Sequence, residues 1–397
     1  MENKNKNFTL LILGFMTFLA NGDNFATATL ISSISKDLGL SISAAAISVT
    51  SYMMAFGLFT ILFGPLADRF GKVRIINIAA IGTAIFSMLG ALAFNLPSLI
   101  FFRTMNGIFG AGIIPVTLAL VGELYDEKHR QKALGKVLGI TFLGGAMATA
   151  IGGTISYFGS WRLVYLIYGI GEFLLAIIIM KVLKKDQPVV KKLQIFSSYK
   201  KAFENKSFIQ ITSVVFLSGF TVLGSFTYAG ISIMEKTGYN IFIVGLVLSF
   251  FGIGTVVGGR FVQSLRKNLK KNFLIVSGII GFISLNIMAL SSNIFIIGIG
   301  LFGFGLAYML IHSTLVATAQ EKLPKMKGTV MSLVSLNLFL GAAVGTQVNG
   351  YFMEIYSTSA IFSLVSFVML GMGILSSVLV LKYEKQKRKI AFDNLNI

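Results

Sequence analysis

Gly64-Pro65-Leu66-Ala67-Asp68-Arg69-Phe70-Gly71-Lys72-Val73-Arg74 packs one acid and three cations into eleven residues, and an apolar run long enough to cross a bilayer lies on either side of it. Gly64 and Gly71 allow close helix approach and a tight turn, while Asp68 can cap a helix or pair with Arg69 or a neighbouring cation. A charged turn between two spans can hold them in one arrangement and release them in another.

Working outward, the 397 residues are 55% hydrophobic and only 12% charged, with mean hydropathy +0.82, which no soluble domain shares. A spanning helix needs about 20 apolar residues. Twelve such runs are expected, over 8–33, 43–66, 74–94, 97–120, 134–157, 163–183, 208–232, 241–262, 272–291, 294–317, 328–351 and 358–381. The fold class is therefore an all-α membrane protein. The first run carries Asp23 and lacks a small-residue cleavage pattern, so it reads as a span rather than a removed signal peptide.

The net charge of +19 sits in alternate loops. Lys4, Lys6, Arg69, Lys72, Arg74, Lys128, Arg130 and Lys132 fall on one side. So do the lysines of 181–201, Arg266 to Lys271, Lys322 to Lys327 and the tail from Lys382 to Lys389. The other loops hold only Lys36, Arg162 and Lys236 as cations. The positive-inside bias predicts both termini in the cytoplasm. Orientation and contact with anionic lipid account for the basic excess, and nucleic acid is not an expected partner. Cysteine is absent, which excludes disulfides and thiolate metal sites, and two histidines, His129 and His312, cannot form the usual zinc cluster; no metal or cofactor is expected.

The opening stretch has the form G-x-x-x-D-R-x-G-K-x-R and resembles the loop between helices 2 and 3 of major facilitator superfamily transporters. The resemblance covers essentially the whole chain. It implies two pseudo-symmetric six-helix bundles, here residues 1–183 and 208–397, joined by a cytoplasmic linker over 184–207 that is Lys-rich and contains Pro188. An ungapped shift of 193 residues lays Gly107, Gly110, Gly112 and Gly135 onto Gly300, Gly303, Gly305 and Gly328, consistent with a duplication. The resemblance also implies a central cavity between the halves, lined chiefly by helices 1, 4, 7 and 10 and exposed alternately to each side. It assigns a conformational latch to Gly64, Asp68, Arg69, Gly71, Lys72 and Arg74.

An ionisable group at membrane depth costs at least about 2.5–3.5 kcal/mol on insertion scales, so each one is a candidate for function. Asp23 and Glu172 are the two acids inside spans. Asp23 and Arg103 are both expected in the outer half of the membrane and form the natural pair. The segment from Arg103 through Asn106 and Gly107 to Gly112 resembles the superfamily's R-x-x-x-G-x-x-x-A motif, whose arginine is associated with proton transfer in proton-coupled members. A nearby guanidinium favours the ionised carboxyl and desolvation the neutral one, which is the physical core of coupling; a static ion pair joining two helices is the alternative. Glu172 has no evident partner in the sequence and reads either as a proton site or as a neutral, hydrogen-bonded structural acid. His312 can relay a proton or contact substrate, or pack as an ordinary histidine.

The fifth span carries Gly135, Gly144 and Gly152-Gly153 in a spacing that resembles the exporter signature G-x8-G-x3-G-P-x2-G-G, with Ala148-Thr149 replacing its central Gly-Pro. Glycines in a membrane helix also serve close packing. Further cavity candidates are Asn24, Thr27, Asn106, Tyr228 and Tyr308. No phosphate-binding G-x4-G-K-[ST] loop is present, nor any nucleophile-base pair that supports an enzyme. The resemblance implies secondary transport in a bacterial inner membrane, most like the twelve-span drug:proton antiporters. The cargo would be small apolar or cationic compounds exported against protons, by a monomer. A facilitator, symporter or antiporter of a sugar, amino acid or lipid is the alternative.

Overall fold

The computed structural model describes residues 2–183, 195–323 and 326–393. Part of the expected linker, with Lys184, Lys185, Lys191 and Lys192, lies outside them, as does Lys325. The described residues form helices and turns, with no strand among them. The long helices of the first half are α1 (Glu2–Leu38), α2 (Ile42–Phe70), α3 (Lys72–Gly90), α4 (the span Leu96–Leu124, interrupted by a turn at 111–112), α5 (Glu127–Phe158) and α6 (Trp161–Val182). A short α7 (Ile195–Glu204) leads into the second half. There follow α8 (Lys206–Thr237), α9 (Ile241–Leu269), α10 (Phe273–Leu290), α11 (Ile294–Lys322), α12 (Lys327–Ile355) and α13 (Thr358–Asp393). Eleven stretches of the described residues are long and apolar enough to cross a membrane; the longest, Ile241–Leu290, contains both α9 and α10, so the crossings number twelve. An even number of crossings returns both termini to one face, called here the terminal face.

Short polar residues start these helices. Ser41 accepts from the Ala44 amide at 3.1 Å, Asp126 from His129 at 3.0 Å, Asn205 from Phe208 at 3.0 Å and Asn240 from Ile243 at 3.2 Å, each satisfying an orphan N–H of a first turn. Asn95 and Ser98 make a reciprocal capping box ahead of α4. Several helices run past the expected apolar limits on the terminal face, α2 to Phe70 and α9 to Leu269 among them. Hydropathy marks the hydrocarbon and not the helix, and polar turns continue the backbone hydrogen bonds into the interface.

The opening turn is tighter than expected. A single residue, Gly71 (φ 91°), separates α2 from α3. Asp68 lies inside the last turn of α2 and caps nothing; α3 begins without a side-chain cap.

The duplication is real, but its register differs from the 193-residue shift. Helices α2 and α9 are both 29 residues long and start 199 residues apart. A Cβ added to Gly107 would strike the backbone of Tyr52, and one added to Gly305 would strike the backbone of Phe251, so equivalent contacts recur at offsets of 198 and 199. Gly300 instead faces Ser284 and Ile287 on α10. With 42 glycines serving several packing faces, matching glycines alone picked a wrong register.

The halves meet chiefly along two helix pairs, α2 with α12 and α5 with α9. Phe56 and Phe339 approach to 4.2 Å between ring centroids in the first pair, and Tyr157 lies 5.9 Å from Phe242 in the second. Contacts between Ser32 and Met234, and between Ser43 and Glu354, join the halves on the face away from the termini. Helix α8 is irregular, with a π-helical turn over Gly219–Leu223 beside the backbone of α12.

Candidate functional site

The most costly burial in the molecule is within the first half. Asp23 on α1, Arg103 on α4 and Glu172 on α6 are all at most 1% exposed. Arg103 Nη1 lies 3.4 Å from Asp23 Oδ1 and 3.3 Å from Asn106 Oδ1, and the Asn106 amide donates to the Thr83 carbonyl at 3.0 Å. The guanidinium sits 4.4 Å from the centre of the Tyr52 ring and 5.2 Å from that of Tyr165, cation–π contacts strengthened by the absence of competing solvent. Tyr165 donates to Thr27, whose hydroxyl donates to the Asp23 carbonyl, each at 3.3 Å. Tyr168 packs against Gly22, where a Cβ would fall 2.9 Å from its hydroxyl.

Glu172, left without a partner by the sequence, is buried on α6, which packs against α1, one turn after the Tyr168 that meets Gly22. Asp23 Oδ2, Arg103 Nε and Nη2, and both Glu172 carboxyl oxygens have no hydrogen-bond partner among the described residues. One guanidinium is thus paired with Asp23 at 3.4 Å, while a second buried carboxyl, that of Glu172, has no ion-pair partner among the described residues. The cluster is electrically neutral when one of the two carboxyls carries a proton, a balance that favours holding a proton in a low-dielectric site.

Asn24 is also buried, with Oδ1 unpartnered, beside this cluster in sequence but not bonded to it in the described contacts. Asn106 and Thr27, expected on a cavity wall, are buried within the charge network. The three tyrosines were not singled out from the sequence. Tyr52 and Tyr165 have a local signal, since each stands one helical turn from another aromatic, Phe56 and Trp161.

His312 and Tyr308 are far from the acids in the fold, on α11 of the second half. Their rings stack at 5.2 Å, and an aromatic series runs from Phe25 through Phe226 and Phe251 to Tyr308, with successive centroids 6.3, 4.4 and 6.2 Å apart. Tyr228 takes no part: it is 1% exposed and donates to the Thr346 carbonyl at 2.8 Å, holding α8 to α12.

At the opening turn Lys72, 3% exposed along its side chain, lies 3.5 Å from Asp68 and 2.8 Å from Glu123 near the end of α4. Glu123 escaped the sequence reading. Arg69 and Arg74 instead flank the Phe70 ring at 5.0 and 6.0 Å, and Gly64 faces Ser332 of α12 across the halves.

The glycines of α5 divide by role. Gly144 and Gly152 press on the backbone of α1 at Phe18 and Ala26, whereas Gly153 meets the second half, where a Cβ would lie 2.6 Å from the Ile241 carbonyl oxygen and 3.0 Å from Gly245 Cα. Gly135 has no neighbour in reach of a Cβ.

With twelve crossings, a duplicated half, the charged turn and the buried arginine of α4 in place, the sequence matches a known family model, Major Facilitator Superfamily, over residues 13–346. The chain belongs to the major facilitator superfamily. It is accordingly a multi-pass membrane transporter and not an enzyme. Among its relatives, the multi-drug resistance efflux pump PmrA of Streptococcus pneumoniae is 27% identical over 339 residues, covering 81% of this chain and 82% of that one. A bicyclomycin resistance protein homologue of Haemophilus influenzae is 25% identical over 337 residues, covering 79% and 82%. The fold is shared with the crystal structure of a bacterial homologue of the human lysosomal transporter Spinster, in an inward-facing and unoccupied conformation, at TM-score 0.72 and 18% identity over 94% of this chain and 95% of that one.

Proposed function

We propose that this transporter exports small apolar or cationic compounds in exchange for protons by alternating access, with the Asp23–Arg103–Glu172 cluster as its coupling site. The observation that carries the reading is one buried guanidinium paired with Asp23 and a second buried, unpaired carboxyl at Glu172, inside a half whose partner bundle has no acid deep within a span. Binding a proton neutralises the surplus charge and releasing it restores the charge, so each state favours a different packing of α1, α4 and α6. Asp23 is the first-choice proton carrier, Arg103 its regulator and Glu172 the second carboxyl of the shared site.

Residues 1–183 and 208–397 move as two bodies joined by the linker 184–207. The protein works as a monomer in the inner membrane with both termini in the cytoplasm. In that orientation the contacts between Ser32 and Met234 and between Ser43 and Glu354 close the outer side, and the Lys72 latch faces the cytoplasm. His312, Tyr308 and Asn24 contact cargo in the cavity, and the aromatic series from Phe25 to Tyr308 suits flat or cationic compounds. Two relatives, a multi-drug resistance efflux pump and a bicyclomycin resistance protein homologue, support the direction and class of cargo. One charge crossing about 100 mV supplies roughly 2.3 kcal/mol, enough for about a fiftyfold gradient of a neutral solute.

The test is proton release or uptake by the purified, reconstituted protein on addition of cationic dyes, antibiotics, sugars and amino acids, in wild type and Asp23→Asn. Dye- or antibiotic-driven proton movement that the substitution abolishes is expected. Uphill dye efflux that persists unchanged in Asp23→Asn would remove Asp23 from the coupling site, and a response to sugars or amino acids alone would replace the cargo class.

A further inference from the structure

The second half carries its own charged turn, between α9 and α10, and here the acid of the first turn has been lost. A cavity of about 650 Å³ opens beside it at the terminal face, between the turn and the end of α13. Its rim is Arg266, Lys267, Lys270, Lys271 and Lys385. The single acid there, Glu384, is held by Arg266 at 2.7 Å, and Lys267, Lys270, Lys271 and Lys385 have no acid partner among the described residues. The floor is apolar and buried: Phe273, Leu274 and Val380. Ser377 of α13 reaches the Lys271 carbonyl at 3.4 Å and fastens the turn against that floor.

The backbone supplies a second, independent observation. Lys270 ends α9 with φ 49°, the one non-glycine residue of positive φ among the described residues. The equivalent helix end in the first half is Gly71, which adopts positive φ without a Cβ penalty. A side chain kept where glycine relieves the strain points to a use for that side chain.

We propose that this cavity binds the headgroup of an anionic phospholipid, with the lysine rim on its phosphate and the acyl chains against the Phe273–Val380 floor. A basic pocket between spanning helices at headgroup depth is suited to such a ligand, whereas a soluble phosphate makes no use of an apolar floor. Orientation by loop charge needs neither a cavity nor a strained lysine.

The experiment compares the full-length protein with Lys270→Gly/Lys271→Gln and, as a control of equal charge change, Lys200→Gln/Lys201→Gln on the exposed face of α7. Lipid retention is read by native mass spectrometry with phosphatidylcholine, phosphatidylglycerol and cardiolipin, and thermal unfolding is followed in phosphatidylcholine alone. Glycine at position 270 relaxes the backbone, so the variant folds at least as stably as wild type in phosphatidylcholine and a loss of lipid is not a loss of fold. The expected result is roughly thirtyfold weaker retention of the anionic lipids in the turn variant, about fivefold for each lysine, with phosphatidylcholine unaffected and the α7 control close to wild type. Unchanged retention in the turn variant, or an equal loss in the control, overturns the site. Protection by glycerol 3-phosphate in phosphatidylcholine that added anionic lipid fails to displace overturns the lipid as its occupant.

Discussion

Lys72 Nζ lies 2.8 Å from a Glu123 carboxylate oxygen, tying the turn after α2 to the end of α4. Arg103 lies on the same span but before the turn at 111–112 that separates Leu96–Gly110 from Ile113–Leu124, so the contact at the terminal face and the buried cluster are joined through an interrupted helix. In the proposed cycle, a shift of α4 that answers a proton at Asp23 passes through this break before it reaches Lys72.

Glu123→Gln is expected to behave like Asp68→Asn, slowing exchange while leaving cargo affinity unchanged. Glu123 is half exposed, so the loss of stability stays within about 1 kcal/mol. Exchange rates in vesicles and dye titration separate the two quantities. Altered affinity at an unchanged rate in either variant would end the latch assignment.

Asp23→Asn leaves Glu172 as the counter-charge of Arg103, and Glu172→Gln leaves Asp23. Each single variant is therefore expected to fold, with modest loss of stability. The double variant strands a buried guanidinium, and its cost should exceed the sum of the singles, approaching the roughly 3–5 kcal/mol of a broken buried pair. A thermal unfolding cycle over the four proteins measures this, and simple additivity would mean that the two acids do not share Arg103.

Gly144→Ala and Gly153→Ala push a methyl into the backbone of a neighbouring helix, and a loss of about 1–3 kcal/mol is expected. Gly135→Ala meets nothing and should be neutral or stabilising by up to about 1 kcal/mol through helix propensity. Unfolding midpoints in detergent rank the three. A destabilised Gly135→Ala would show that the terminal-face end of α5 packs more tightly than described.

The chain contains no cysteine, so paired substitutions report cleanly. Ser43 donates to Glu354 across the halves, and Ser43→Cys/Glu354→Cys is expected to oxidise to a disulfide that stops exchange until a reductant is added. Full activity in the oxidised, cross-linked protein would show that these helix ends stay together throughout the cycle.

What was legible in the sequence followed from cost. Charges inside apolar runs are expensive, so Asp23, Arg103 and Glu172 stand out one by one, and loop lysines mark every second turn. That Glu172 is buried on a helix packed against the one that carries Asp23 leaves no local trace, because it depends on how α1 and α6 face each other. Tyr52, Tyr165 and Tyr168 carry no charge that demands explanation and stand out little among 12 tyrosines until the structure sets Tyr52 and Tyr165 against Arg103 and Tyr168 against Gly22. Glycine misled where it was most abundant: its spacing suggested a repeat of 193, while backbone contacts at Tyr52 and Phe251 set the true offset near 199.

The seam between α5 and α9 is almost bare of side chains where Gly153 faces Gly245 and Ala146 faces Gly252. Interlocked leucines would have to be lifted out of their sockets before one half tilted on the other, whereas smooth backbone surfaces roll with little rotamer change. Such a seam acts as a bearing. The resistance to tilting then resides in the polar ties between the halves outside that seam, Ser32 to Met234 and Ser43 to Glu354, where a few hydrogen bonds set the pace of the whole machine.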